Sequence, residues 1–594
     1  MFCCSFPPLF QLRFIKRILS STGFIILFFI PFTMQSQILD LYQENKTPQY
    51  HEIIEYYEVL AKENSISELK TYGTTDAGYP LHLFIIDSDK DFDPAISKAK
   101  GKTILLINNG IHPGEPDGID ACLQLTNNLL VTKSWQADLS HLVICIIPIY
   151  NVDGCLNRNS ISRVNQDGPE EYGFRGNDQN LDLNRDFIKC DSKNAQAFTT
   201  IFRTWDPDLF VDTHVSNGAD YQYVMTLIAT QHNKLTPPLN TFLNNHLLPY
   251  LYDGMNKGGF PMCPYVEPIK EIPDNGIAAF LETPRYSTGY AALFNTIGFM
   301  PETHMLKPYP NRVEATLLLL QTFLEFASTH YSALLEARRD ANAFVANAKS
   351  LPVHWQIDLE QKDQFIFSGY EAKYKTSEVT GAQRLWYDRN APYTKSIDYF
   401  NTYNPDIIIE LPDFYILPKA WYKVVERLQW NNITMIPLDK DTLLEVEVYY
   451  IQDYKTIQKP FEGHYLHYDT EIKKEIIQIQ LHAGDWMIPL NQNANKYIVE
   501  MLEPQSADAF FNWNFFDPIL SRKEWYSDYV FEDVAAELLQ TDANLRTAFE
   551  KKKQDEPTFA ESPALQLEFI FENSKYKEAS YNRYPVLRYF GKWK

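Results

Sequence analysis

Four short apolar runs, each closed by polar residues, constrain the fold more than any other feature of this chain. "LHLFIID" (81–87), "KTILLINN" (102–109), "HLVICIIPIYN" (141–151) and "DLFVDTH" (208–214) have the length of strands. The third is apolar without alternation, as a strand buried on both faces must be. Residues 38–66 read as helical, with apolar spacing near 3.6 in "QYHEIIEYYEVLAKEN", and "DGIDACLQLTNNLL" reads as a helix between the second and third strands. Strands alternating with helices predict an α/β sheet with helices on both faces. In such sheets functional residues gather in loops past the strand ends. His112, Asn151 and His214 each fall at such an end.

At 594 residues the chain is too long for one core. The stretch 309–350 reads as one long helix or two, and the domain boundary is set after it, giving a first domain at 38–350 and a C-terminal accessory α+β region at 351–594. In that region 405–438 suggests strand, helix, strand; "LEVEVYYIQDY" and "IIQIQLHAGDWMIPL" alternate as exposed strands do, and 527–560 is partly helical. Residues 1–37 stand apart. Arg13, Lys16 and Arg17 precede the ten-residue run "GFIILFFIPF", too short to span a bilayer and suited to a cleaved signal peptide. Export to the periplasm or the extracellular space is therefore expected, with no stable membrane span after cleavage. The net charge of −22 argues against nucleic acid, which needs clustered Lys and Arg. Five cysteines follow the signal, an odd and sparse set with no CxxC pair, so neither a disulfide framework nor a cysteine zinc ribbon is expected.

Chemistry concentrates in "NNGIHPGEPDG" (108–118), which sets His112 and Glu115 three apart on a Gly/Pro-rich loop. A turn needs Gly, Pro and Asn, but not an imidazole beside a carboxylate. Two His and one Glu suit catalytic zinc, which takes three protein ligands and keeps one position open. His214 in "VDTHVSNG" is a candidate third ligand. Alone, each of these is more often an ordinary loop residue.

The intervening segment changes that balance. "HPGE", "NVDG", "SRVN", "LDLNRDF", "DTH" and "PETH" occur in this order, and the set resembles the M14 family of zinc metallocarboxypeptidases across residues 50–325. Val152 stands where the family has Pro, and Asp186 where it has a second Asn. The resemblance implies a mixed central β-sheet flanked by helices, with one Zn2+ held by His112, Glu115 and His214. It makes Asp182 the carboxylate that orients His112, and Asn184 and Arg185 the pair that binds a substrate's terminal carboxylate. Arg163 becomes the arginine that polarises the scissile carbonyl, with Arg158 and Arg175 as competitors. Glu302 becomes the general base, ahead of Glu282. A tyrosine closing over substrate is sought at Tyr290, then at Tyr286. Arg285 either favours acidic side chains or is a surface ion-pair residue.

The activity so implied is hydrolysis of the C-terminal peptide bond by a zinc-activated water with a Glu base, acting on peptides with a free C-terminal carboxylate. A cell-wall (muropeptide) carboxypeptidase or amidase of the same family is the alternative, and a non-catalytic binding paralogue a third reading. No GxSxG elbow supports a serine hydrolase.

Overall fold

A computed structural model describes residues 38–592 of the chain; the expected signal peptide at 1–37 lies outside the described residues. At the centre is a nine-stranded mixed sheet. Its strands are β1 (Ser67–Thr74), β2 (Pro80–Asp87), β3 (Thr103–Asn108), β4 (Leu142–Ile147), β5 (Leu209–Asp212), β6 (His214–Ser216), β7 (Met225–Ala229), β8 (Met262–Pro264) and β9 (Ile297–His304). They lie in the order β1-β2-β4-β3-β5-β9-β7-β8, with the short β6 also paired to β9. The central pairs β4/β3, β3/β5 and β5/β9 are parallel, whereas β1/β2, β2/β4 and β9/β7 are antiparallel.

The period-two rule of a strand explains how both faces are covered. Leu83, Ile85, Ile104 and Leu106 enter one core, while Phe84, Ile86, Leu105 and Ile107 enter the other. Helix Lys193–Trp205 closes the first face. Ser192 caps its start by accepting from the Ala195 amide, and Phe198, Ile201 and Phe202 point inward. Each such buried side chain contributes about 1.5–3 kcal/mol, so Phe202→Ala is expected to cost about 3–5 kcal/mol. The second face is closed by helices Asp117–Thr126 and Tyr309–Thr329 through Leu123, Leu319 and Phe323.

Two sequence readings are refined. The run 208–214 is not one strand: β5 stays with β3 as far as Asp212, and the chain then resumes as β6 beside β9, with His214 opposite Glu302. The stretch 309–350 becomes two helices, Tyr309–Thr329 and Tyr331–Ala346, followed by a strand from Ser350. All five described cysteines are buried free thiols. Among the described residues no helix is long and apolar enough to cross a membrane.

Beyond Ser350 the chain builds two long hairpins, Asp363–Thr376 with Gln383–Phe400 and Thr442–Thr456 with His467–Leu481. The first is joined to the earlier half by main-chain pairing, since Gln383–Phe400 runs parallel to Ile277–Ala278 and Gly369 bridges to Tyr221. The second belongs to a six-stranded sheet. Helices Tyr422–Trp430 and Asn495–Leu502 send Val424, Leu428, Tyr497 and Ile498 into the same core as Phe198 and Phe202. The last helices, from Asp528 to Glu572, gather around Phe531, Phe549 and Phe571.

Candidate active site

The loop after β3 is shaped by two glycines. Gly110 adopts φ +65°, open to glycine at little cost. At Gly114 a Cβ would stand 2.6 Å from Cδ of Arg163, so any side chain there would displace that arginine. Glu115 N–H donates to the His112 carbonyl at 2.8 Å, and this tight turn leaves His112 Nδ1 3.3 Å from Glu115 Oε1. His214 arrives from β6, 99 residues after Glu115, with its Nδ1 3.3 Å from Glu115 Oε2. The two imidazole centroids are 5.0 Å apart. One donor atom from each of the three residues lies within 4.8 Å of the others, and all three residues are buried.

The opposite ring nitrogens are both held by carboxylates. His112 Nε2 is 2.9 Å from Asp182 Oδ1, and His214 Nε2 is 3.0 Å from Asp212 Oδ2. Arg175 Nη1 also lies 2.7 Å from His112 Nε2; the pull of Asp182 and Asp212 favours a proton on Nε2 and a lone pair on each Nδ1. His112 Nδ1 is buried with no hydrogen-bond partner. An orphaned buried nitrogen is costly, and a metal ion at the His112–Glu115–His214 donor set would satisfy it. That set suits zinc. Asp212 escaped the sequence reading although it sits two residues before His214; Asn108 Nδ2 donates to its Oδ1 at 2.8 Å.

Charge around the donors is dense. Burial opposes ionisation of Glu115, yet Arg163, His112 and His214 hold its carboxyl well below the usual range. Burial pulls His214 down, but Asp212 and Glu115 on either side keep its pKa well above that of a free imidazole. Glu302 lines the same cleft. Burial, helped by the nearby Glu115 charge, pushes its carboxyl up to about 8. The cleft encloses about 450 Å³ and is also lined by Arg163, Arg175, Asn184, Arg185 and Tyr286. Its apolar wall is Ile228, Tyr265, Phe280 and Met300.

Two arginines converge on Glu115 Oε1, Arg163 Nη1 at 2.8 Å and Arg175 Nη2 at 3.2 Å. Arg163 also donates through Nε to Gln166 at 2.6 Å. Its side chain is 17% exposed and that of Arg175 45%. Arg175 is brought in by Asn151, whose Nδ2 donates to the Arg175 carbonyl at 2.8 Å. Arg158 turns away, donating to the carbonyls of Thr47 and Glu171 at 3.1 and 3.0 Å. Arg185 lies over the Tyr286 ring at 4.5 Å, and the side-chain oxygen of the buried Asn184 has no partner.

Several candidates fall elsewhere. Tyr290 does not reach the cleft. It is fully buried, its hydroxyl donates to Asn431 Oδ1 at 2.7 Å, and its ring packs on Phe202. One helical turn earlier, Tyr286 faces the cleft, as Tyr265 does from its apolar wall. Glu282 is buried away from it, accepting from the Gln231 amide at 2.8 Å. Arg285 pairs with Asp508 at 2.7 Å and does not line the cleft. His304, two residues beyond Glu302, has both ring nitrogens engaged, by the Ala219 carbonyl and the Leu306 amide.

Residues 53–237 match the zinc carboxypeptidase family, peptidase M14. Among curated proteins, Carboxypeptidase 2 of Trichophyton rubrum is 20% identical over 423 residues, covering 68% of this chain and 72% of that protein. Carboxypeptidase 2 of Trichophyton equinum is 19% identical over the same shares. Among solved structures, carboxypeptidase A of Helicoverpa armigera aligns with a TM-score of 0.36 at 14% identity, over 52% of this chain and 81% of its own. The metallo-carboxypeptidase of Burkholderia cenocepacia gives 0.33 at 14% identity, over 46% and 68%.

The chain is a metallocarboxypeptidase, a hydrolase of the zinc peptidases, for which peptides are the substrates. The match to peptidase M14 rests on segment 53–237 of the 594 residues.

Proposed function

We propose that the protein is an exopeptidase that removes the C-terminal residue of peptides. The observation that carries this reading is that the His112–Glu115–His214 donor set shares one cleft with Glu302, Asn184 and Arg185. His112, Glu115 and His214 would hold one Zn2+, which when bound supplies Lewis acidity toward water and the scissile carbonyl. Glu302 is assigned as the base that takes a proton from the attacking water and returns it to the leaving amine. Burial raises the proton affinity of its enclosed carboxyl, the direction a proton acceptor needs. Arg163 and Arg175 are assigned to the carbonyl oxygen, and the more open Arg175 is the better able to turn toward it. Arg185, steadied against Tyr286, offers the planar fork that grips a terminal carboxylate, with Asn184 beside it.

Ile228, Tyr265, Phe280 and Met300 carry no charge, so the residue released is expected to be apolar or aromatic rather than acidic or basic. A set of blocked dipeptides with free and amidated C-termini tests the whole reading. Free ends should be cleaved in a zinc-dependent manner and amidated ends not; equal cleavage of the two would overturn it. A muropeptide mixture in the same assay separates the cell-wall alternative. The basic flank and apolar run of residues 13–32 support export. Recovery of the secreted protein with Met1 still attached would refute signal cleavage.

A further inference from the structure

We infer that Glu462, in the C-terminal region, is a positioning residue for the segment that binds the substrate's carboxylate. This rests on the roles given above to Asn184 and Arg185. Phe461 and His464 exchange backbone hydrogen bonds of 2.8 and 3.0 Å around a two-residue turn. Both turn residues have positive φ, +49° at Glu462 and +82° at Gly463. Such turns favour Asn or Gly at the first position, and a glutamate there is disfavoured. The glutamate's side chain has a partner that neither would reach. Its Oε2 accepts the backbone N–H of Asp182 at 2.7 Å, across 280 residues of sequence.

Asp182 is the hinge of the candidate site. Its Oδ1 meets His112 Nε2 at 2.9 Å and accepts from the Asn184 amide at 2.9 Å, which opens the turn carrying Arg185. Glu462 therefore fixes the main chain of the residue whose side chain fixes both a metal-donor histidine and the carboxylate-binding turn. Further contacts seat the tip. His464 Nε2 is 2.7 Å from Asp191 Oδ2, and Arg427 Nη2 is 3.0 Å from Asp191 Oδ1. Arg285, paired to Asp508, lies 5.7 Å from the Phe461 ring. Residues 182 and 191 are thus gripped by side chains from 427–464. Glu462 does not line the cleft, so it acts through Asp182–Arg185 and not on the substrate.

The test compares Glu462→Ala and Glu462→Gln with the wild-type full chain, zinc-loaded, on a peptide with a free C-terminus. The readouts are kcat, KM, zinc content and melting temperature. Loss of one charge-assisted hydrogen bond should raise KM of Glu462→Ala about three- to tenfold, with kcat within about twofold. Zinc content should stay at the wild-type level. Glu462→Gln keeps an acceptor oxygen and should recover most of the KM. An unchanged KM in Glu462→Ala overturns the inference, and so does a Gln variant as impaired as the Ala variant. A fall in kcat alone with a lowered melting temperature marks a merely structural role and overturns it as well. If the wild type cleaves free and amidated ends alike, the exopeptidase reading fails and the inference falls with it. If the wild type is selective and Glu462→Ala keeps its KM, only the inference fails.

Discussion

Asp212 offers the sharpest perturbation of the metal-binding reading. It is fully buried, with Oδ2 3.0 Å from His214 Nε2 and Oδ1 held by Asn108 Nδ2 at 2.8 Å. With a metal ion at Nδ1 it would keep the remaining His214 proton on Nε2; Nδ1 lies 3.3 Å from Glu115 Oε2. In Asp212→Ala either ring nitrogen can carry the proton, and the ring loses its anchor. Removing such a partner weakens metal binding about 10–100-fold, or roughly 1.4–2.7 kcal/mol. The net worth of a hydrogen bond to a charged group, about 1.5–3 kcal/mol, gives the same range by a separate route. Asp182→Ala should act on His112 with a similar magnitude. Independent effects would multiply to about 10²–10⁴ in the double variant. Both histidines contact the one Glu115 carboxylate, with ring centroids 5.0 Å apart, so a departure from simple multiplication is expected. The assay is competition for zinc against a fluorescent chelator, with kcat/KM recovering toward wild type at saturating zinc. Wild-type zinc affinity in Asp212→Ala would refute the orientation argument and, with it, the assignment of His214 Nδ1 as a donor.

Three further predictions follow from individual residues. Glu302→Gln should retain zinc and lose about 10²–10⁴ in kcat; near-normal turnover would exclude Glu302 as the base. Tyr290→Phe should leave KM unchanged and cost about 1–3 kcal/mol in urea unfolding, because Asn431 Oδ1 loses its buried donor; a large rise in KM would return Tyr290 to the substrate site. Asp120 accepts the Tyr309 and Thr47 hydroxyls at 2.6 and 2.7 Å, and burial pushes its pKa up to about 7. The folded state thus prefers the protonated acid. The stability this gives is fully present below the ordinary carboxyl value near 3.9 and is lost as pH rises through about 7, by up to roughly 4 kcal/mol. Asp120→Asn cannot ionise, so its melting temperature should gain on wild type between pH 4 and pH 8; a difference independent of pH would refute this.

The residues that could be read from sequence are those at the ends of buried strands. An unbroken apolar run such as "KTILLINN" announces where β3 stops, so His112 and Glu115 stand out on the loop beyond. Other features depend on facts that a string does not carry. The choice between Tyr286 and Tyr290 is a matter of helix phase: the turn beginning at Ser287 swings Tyr290 into the core and leaves Tyr286 at the cleft. Three arginines lie between "NVDG" and "LDLNRDF", and the one that folds back most openly is selected by the Asn151 side chain and by the Phe174 amide bonding to the Gly154 carbonyl. The role of Asp212 turns on which ring nitrogen of His214 it meets. The hairpin at 363–400 is exposed over much of both faces, which blurs the alternation that would mark its strands.

The core shared by Phe198, Phe202, Val424 and Tyr497 bears on how the enzyme can be made. A fragment ending near residue 350 would lift away the side chains that roof this layer and strip Tyr290 of Asn431, which in turn donates to Tyr497 at 2.9 Å. Such a fragment should precipitate on expression instead of yielding a minimal peptidase. Trimming by a protease within 351–592 would then serve to destroy the enzyme and not to activate it.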